Sequence, residues 1–161
     1  LKSITIVCDT REQKNEHITS YFDSKKIPWI SKKLDTADYT FMIPKNEELG
    51  ITRDLWFDKE CVIERKNSLE EISGCLTQSR DRLKKEFALA PENKIMIIEN
   101  ATYSDMVLGN YDTKYDAKSF WASYHSFWNE FNLPIMFIPD KKYTGMFIRG
   151  HFYYYVRNII K

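Results

Sequence analysis

The sequence is short of several features that would place it quickly. It holds three cysteines, Cys8, Cys61 and Cys75, in 161 residues. The number is odd, no CxxC spacing occurs, and each lies in or beside an apolar stretch. That excludes a disulfide framework and reads as small buried hydrophobes in a reducing compartment. There is no surplus of charge, since 24 Lys+Arg against 23 Asp+Glu leave a net +1. An acidic solvating tail and a generic polybasic nucleic-acid binder are excluded, while a basic face opposite an acidic one is not. No apolar run approaches the ~18 residues needed to cross a membrane, and Leu1-Lys2-Ser3-Ile4 has no signal-peptide layout. The expected location is cytoplasmic, or nuclear in a eukaryote, with no membrane partner. The first residue is not methionine, so a processed chain or a piece of a longer one is expected. His17, His125 and His151 lie far apart, without metal-ligand spacing.

What is present is enough chain for one domain, 1–161, and material for a core: 43% hydrophobic and 15% aromatic residues. Ile4–Cys8 is a β-branched run that reads as a buried strand. Residues 15–25 carry Ile18, Tyr21 and Phe22 at helical spacing. A second strand opens after Pro28, with Ile30, Lys32 and Leu34 alternating, and a third covers Asp38–Ile43. Residues 45–58 are polar and read as an exposed loop or hairpin excursion. Cys61–Lys66 is a fourth strand. Ser68 then begins a helix whose stripe, Leu69, Ile72, Leu76, Leu83 and Phe87, continues at helical period from a Ser68–Glu71 capping box. A strand at 95–98, an aromatic helix at 117–131, a strand at 135–138 and a helix at 145–160 complete the chain. Alternating strands and helices predict an α/β domain with a central mixed sheet of about six strands flanked by helices.

The chemistry concentrates in Val62-Ile63-Glu64-Arg65-Lys66. Side chains alternate across a strand, so Glu64 and Lys66 share a face and Arg65 points away with Ile63. A carboxylate and a lysine at the end of an apolar strand need partners or a task. An ordinary surface Glu–Lys pair would satisfy the spacing alone. If the strands are neighbours, Asp9 and Asp38 converge with Glu64 and Lys66 at one sheet edge. Such a group suits metal-dependent phosphodiester hydrolysis. Hard oxygens, including the Arg65 backbone carbonyl, would hold Mg²⁺, and Lys66 would orient or deprotonate water, or offset charge in the transition state.

Three motifs in order resemble one family. Ile6-Val7-Cys8-Asp9-Thr10-Arg11-Glu12 is similar to the Val-Asp-x-Arg-Glu start of XPF-type structure-specific endonucleases. Ala37-Asp38-Tyr39 resembles their Gly-Asp-Tyr, and Glu64-Arg65-Lys66 followed by Glu70 resembles their Glu-Arg-Lys-x-x-x-Asp; the likeness runs on to Ile97-Ile98-Glu99. The resemblance implies a restriction-endonuclease-like fold and a divalent-metal-dependent DNA endonuclease that cuts branched, flapped or forked DNA in repair or recombination. By motif, Asp9, Asp38 and Glu64 would be metal ligands and Lys66 the catalytic lysine. Arg11, Glu12 and Glu70 would fall on motif positions of the catalytic set. Arg65 is expected to make a structural ion pair. Mg²⁺ is the implied cofactor, with Mn²⁺ substituting. Two departures stand out. Ala37 replaces glycine, which should disfavour a positive-φ backbone there, and Glu70 replaces aspartate. The tandem helix-hairpin-helix module of many members is not expected after residue 140, as in short phage or mobile-element versions.

On the helix after the catalytic strand, Arg80 falls at the edge of the apolar stripe and calls for a carboxylate or phosphate partner. With Arg82, Lys84 and Lys85 it is the expected phosphate-contacting face. Tyr103, Tyr111 and Tyr115 would stack on bases or pack locally. The last helix is apolar on two sides, Ile148, Phe152, Tyr155, Val156 and Ile159 on one and Phe147, His151 and Tyr154 on the other. The family's mode of assembly then implies a homodimer through this helix. Two other functions are compatible with the motifs: a non-catalytic DNA-binding or partner subunit, and a nuclease acting on plain duplex.

Overall fold

The computed structural model describes residues 4–160. Its strands are β1 (Thr5–Cys8), β2 (Trp29–Ser31), β3 (Tyr39–Ile43), β4 (Leu55–Trp56), β5 (Cys61–Lys66), β6 (Asn93–Glu99) and β7 (Ile135–Ile138). Its α-helices are α1 (Glu16–Ser24), α2 (Leu69–Thr77), α3 (Arg80–Leu89), α4 (Tyr103–Leu108), α5 (Ala117–Phe131) and α6 (Thr144–Ile159). The sheet order is β2-β1-β3-β5-β6-β7, with β4 on β3. β1 is parallel to β2 and antiparallel to β3, β3 is antiparallel to β5, and β5, β6 and β7 run parallel. The α/β class and the mixed sheet are as the sequence implies.

Period-two alternation divides the core into two layers. Ile6, Cys8, Tyr39, Phe41, Ile63 and Ile97 face α1 and α6, where Phe22, Ile148, Phe152 and Val156 cover them. Met96, Ile98 and Ile135 face the other way, against Leu69, Ile72, Leu83, Phe87, Phe120 and Phe127 of α2, α3 and α5. Glu64 and Lys66 pair in register with Met96 and Ile98, so they belong to this second face, and Arg65 belongs to the first.

The single helix expected from Ser68 is two helices. The Ser68 hydroxyl accepts from Glu71 N–H at 3.1 Å and starts α2 as its capping sequence predicts. The Thr77 hydroxyl turns back onto the Ser73 carbonyl at 2.9 Å, and Thr77 and Ser79, whose hydroxyls compete for backbone groups, flank the break. The chain breaks at Gln78–Ser79 and restarts as α3, both halves keeping their stripe in one core. Helix α4, absent from the expected elements, lies between a Thr102–Asp105 capping box and Gly109, whose φ of 74° closes it. The 45–58 excursion carries β4, and β2 ends at Ser31, so Leu34 is a buried loop residue against Val7 and Met42.

The Arg65 side chain is 3% exposed and ion-paired, as expected of it. Its Nε donates to Glu12 Oε2 at 2.8 Å, Nη1 to Glu99 Oε1 at 2.6 Å and Nη2 to the Gln13 carbonyl at 2.7 Å. The Tyr39 hydroxyl donates to Glu12, and the Thr144 hydroxyl and His17 engage Glu99 Oε2. One guanidinium thus ties β5 to the loop before α1, to β6 and, through Glu99, to the first turn of α6.

Candidate active site

The ends of β1, β3 and β5 meet at the second face of the sheet. Asp9 N–H donates to the Asp38 carbonyl at 2.8 Å and Asp38 N–H to the Ile63 carbonyl at 3.0 Å. These cross-strand bonds carry Asp9, Asp38 and Glu64 to one edge. There they line an open cleft of about 450 Å³ with Lys66, Cys75 and residues of α3.

Asp38 Oδ2 accepts the Arg65 backbone N–H at 2.8 Å. Burial, and then the Glu12 charge, push its pKa up to about 7, against partial relief from that N–H and from Lys66. Glu64 is pushed well above the carboxylate range, first by burial and then by the neighbouring Asp38 charge. Its Oε1 lies 3.3 Å from Lys66 Nζ, and its buried Oε2 has no hydrogen-bond partner among the described residues. An unpaired carboxylate oxygen beside a polar cleft is suited to a hard cation or to a water that the cation carries. Asp38 and Glu64 are the pair that could supply direct ligands. Burial opposes the charge on Lys66, but Glu64 and the other surrounding acids outweigh it and raise its pKa. Lys66 is therefore a fixed cation, suited to offsetting charge and unsuited to removing a proton from water.

Asp9 comes to the cleft with its oxygens already engaged. Oδ1 accepts from Leu34 N–H at 2.8 Å and Oδ2 from Arg11 Nε at 2.8 Å. Burial opposes its ionisation, but Arg11 and the two backbone N–H groups hold its pKa below normal. Among the described residues no three His, Cys, Asp or Glu side chains stand close enough to hold one ion. The expected convergence of Asp9, Asp38 and Glu64 at one edge is present, but Asp9 arrives there fastening Arg11 and the Leu34 loop, and Arg11 lies along the rim.

Other expected site residues are redistributed. Glu12 is on the opposite face with Arg65 and Tyr39. Glu70 is outside the cleft, its carboxylate accepting the Asp112 N–H at 3.2 Å. Arg80 has an internal partner rather than a free path to phosphate. Its Nη1 donates to Ser123 Oγ at 2.9 Å, and the guanidinium sits 5.0 Å from the Phe127 ring centre. Lys84 turns to Glu130 at 3.7 Å. Arg82 and Lys85 do line the cleft. The helix break after Thr77 resets the phase of α3, so Arg80 turns inward to Ser123 and Arg82 toward the cleft. Tyr111 and Tyr115 pack on Phe120, and Tyr103 packs on Tyr124 and Phe137. The sequence reading missed Cys75 and Glu86 in the cleft. Glu86 stands one turn beyond Arg82, a spacing that puts both on one helix face without saying what that face meets.

Ala37 holds a left-handed conformation, φ 64°, without glycine, so the conformation that alanine disfavours is adopted all the same. The cross-strand bonds made by Asp9 and Asp38 fix the turn and hold the strain. Left-handed alanine costs about 1–2 kcal/mol, partly offset by the extra chain entropy of glycine. Ala37→Gly is expected to gain roughly 0.5–1 kcal/mol of stability, read by urea denaturation at constant m-value; a loss would show the turn unstrained.

Residues 8–150 match the ERCC4 domain. None of the curated proteins compared matches the chain. Among solved structures, XPF from Aeropyrum pernix superposes with TM-score 0.65 at 20% identity, covering 92% of this chain and 59% of that one. The same protein in complex with DNA gives 0.68 at 19% identity, covering 96% and 66%. The chain therefore spans about six-tenths of the proteins whose fold it shares.

Proposed function

The chain belongs to the ERCC4 domain family, and from that premise we propose that it is a divalent-metal-dependent DNA endonuclease acting on branched or flapped DNA. The observation that carries the reading is the unpartnered Glu64 Oε2, beside Asp38 and Lys66 in an open cleft. The relative known in complex with DNA supports nucleic acid as the substrate. Asp38 and Glu64 would hold Mg²⁺ or Mn²⁺, with the Arg65 backbone carbonyl as a further oxygen donor. When bound, the ion supplies Lewis acidity to the phosphoryl oxygen and lowers the pKa of water.

The chain's own residues do the rest. Lys66, kept charged by Glu64, faces the negative charge that develops on the phosphate. Arg82 and Lys85 hold the DNA backbone along the rim, and such contacts position a strand without reading its bases. Arg65 N–H fixes the Asp38 carboxylate, so the site is set by strand geometry. A homodimer through α6 is part of the proposal. Ile148, Phe152 and Val156 are spent on the sheet, while Tyr154, Ile159 and Ile160 stay more than half exposed. Sedimentation at high micromolar concentration should show the dimer, and a monomer there would remove it.

Cleavage of flap, fork and linear duplex DNA with Mg²⁺ tests the activity and its preference for branches. Lys66→Met should cut about 10²–10³-fold more slowly while binding Mn²⁺ at least as tightly as the parent, because a cation beside the site is gone. Undiminished cleavage by Lys66→Met would remove the lysine from the mechanism.

A further inference from the structure

Helix α3 brings a second kind of charge to the cleft. Leu83 and Phe87 are each 3% exposed in the core under α3, which fixes the rotation of the helix about its axis. On the face left toward the cleft, Arg82 and Glu86 stand one turn apart. Glu86 is half-buried, makes no ion pair among the described residues, and lines the same cleft as Glu64, where its charge helps to push the Glu64 pKa up. Two carboxylates in one cleft repel when both are ionised, and among the described residues Glu64 Oε2 lacks a partner. No shared ion is directly in reach of three side chains as they stand. A hydrated cation reconciles these facts, since Mg²⁺ gives up water reluctantly and its remaining waters need acceptors.

We propose that Glu86 is the third carboxylate of the cation site, gripping a metal-bound water from helix α3 while Asp38 and Glu64 contact the ion. This rests on the metal-dependent reading above. It makes Glu86 a positioning residue and gives α3 a double task. The turn that presents Arg82 to the phosphate also presents Glu86 to the ion, so metal and DNA are registered by one rigid element.

The test is Mn²⁺ titration by calorimetry and melting with and without Mn²⁺, on the full chain without DNA, for the parent, Glu86→Gln, Glu86→Asp and Asp38→Asn. Glu86→Gln should bind Mn²⁺ about 10-fold or more weakly, the scale for residues that hold metal ligands from behind. In EDTA it should melt higher than the parent, because repulsion with Glu64 is relieved, and Mn²⁺ should raise its melting temperature less. Glu86→Asp should restore part of the affinity. Opposite signs with and without metal are not produced by a residue that merely braces the helix. Parental Mn²⁺ affinity in Glu86→Gln, or a lower melting temperature in EDTA, overturns the inference and leaves the proposed function standing. Failure of the parent itself to bind Mn²⁺ removes both.

Discussion

On the proposed mechanism, Asp38→Asn is expected to bind Mn²⁺ about 100-fold or more weakly and to lose roughly three orders of magnitude in DNA cleavage, since the ion would contribute several kcal/mol to the transition state. The pH dependence should identify the cause. The folded protein holds the Asp38 proton up to about pH 7, whereas the ordinary value is 3.8. Between those values the folded state binds more protons than the unfolded chain, so this group makes the metal-free protein less stable as pH rises across the window. A cation must displace that proton, and Mn²⁺ affinity should climb by up to about tenfold per pH unit for each proton displaced, levelling near neutrality. Glu64, shifted the same way, adds to the slope. The amide of Asp38→Asn has no proton to displace, so the variant's residual binding should be flatter with pH, and without metal it should exceed the parent in stability at about pH 8, above the window. Parental affinity with the parental pH slope in Asp38→Asn would rule this carboxylate out as a ligand.

Arg65→Met carries the second large effect, on the fold. The guanidinium neutralises Glu12 and Glu99, whose side chains are 9% and 1% exposed. Removing one partner from a buried ion pair costs about 3–5 kcal/mol, because the remaining charge is stranded. Two carboxylates would be stranded here, against a total stability of about 5–15 kcal/mol for a domain. Arg65→Met should be mostly unfolded or strongly destabilised in urea titration. Adding Glu12→Gln and Glu99→Gln should recover much of the loss, because amides need no counter-charge. A variant as stable as the parent would show that the network carries no net stability. Glu99 also sets an acid limit. Burial opposes its ionisation, but Thr144, His17 and Arg65 hold its pKa below the ordinary 4.5. Its contribution is present above that value and is lost as pH falls through the depressed one.

These residues show what was readable in one dimension. Alternation in Val62–Lys66 was enough to put Glu64 and Lys66 on one face and Arg65 on the other, and β5 has that arrangement. Periodicity gave the helix at 117–131, which α5 matches residue for residue. Arg80, Asp9 and Glu70 are engaged inside the fold in a way the motifs do not show. Each side chain's partner, Ser123, Leu34 and Asp112 respectively, lies on another element, and a motif names the donor or acceptor without saying what is already bonded to it. Glu86 was passed over because a local charge run looks the same whether it faces water or a cleft.

The sequence by itself determined the layers, because hydrophobic period is a property of neighbours along the chain and side-chain direction follows from it. It also placed the acid-base motif at the end of a buried strand. Only the tertiary structure decided which carboxylates are free. Asp9 is quenched by Arg11 and a loop N–H, Glu12 and Glu99 by Arg65, and Glu64 Oε2 by no other described residue. That distinction depends on side chains distant in sequence meeting at a few ångströms, where hydrogen bonding and burial set the charge state. It separates an acidic residue that holds the fold from one that can hold a cation.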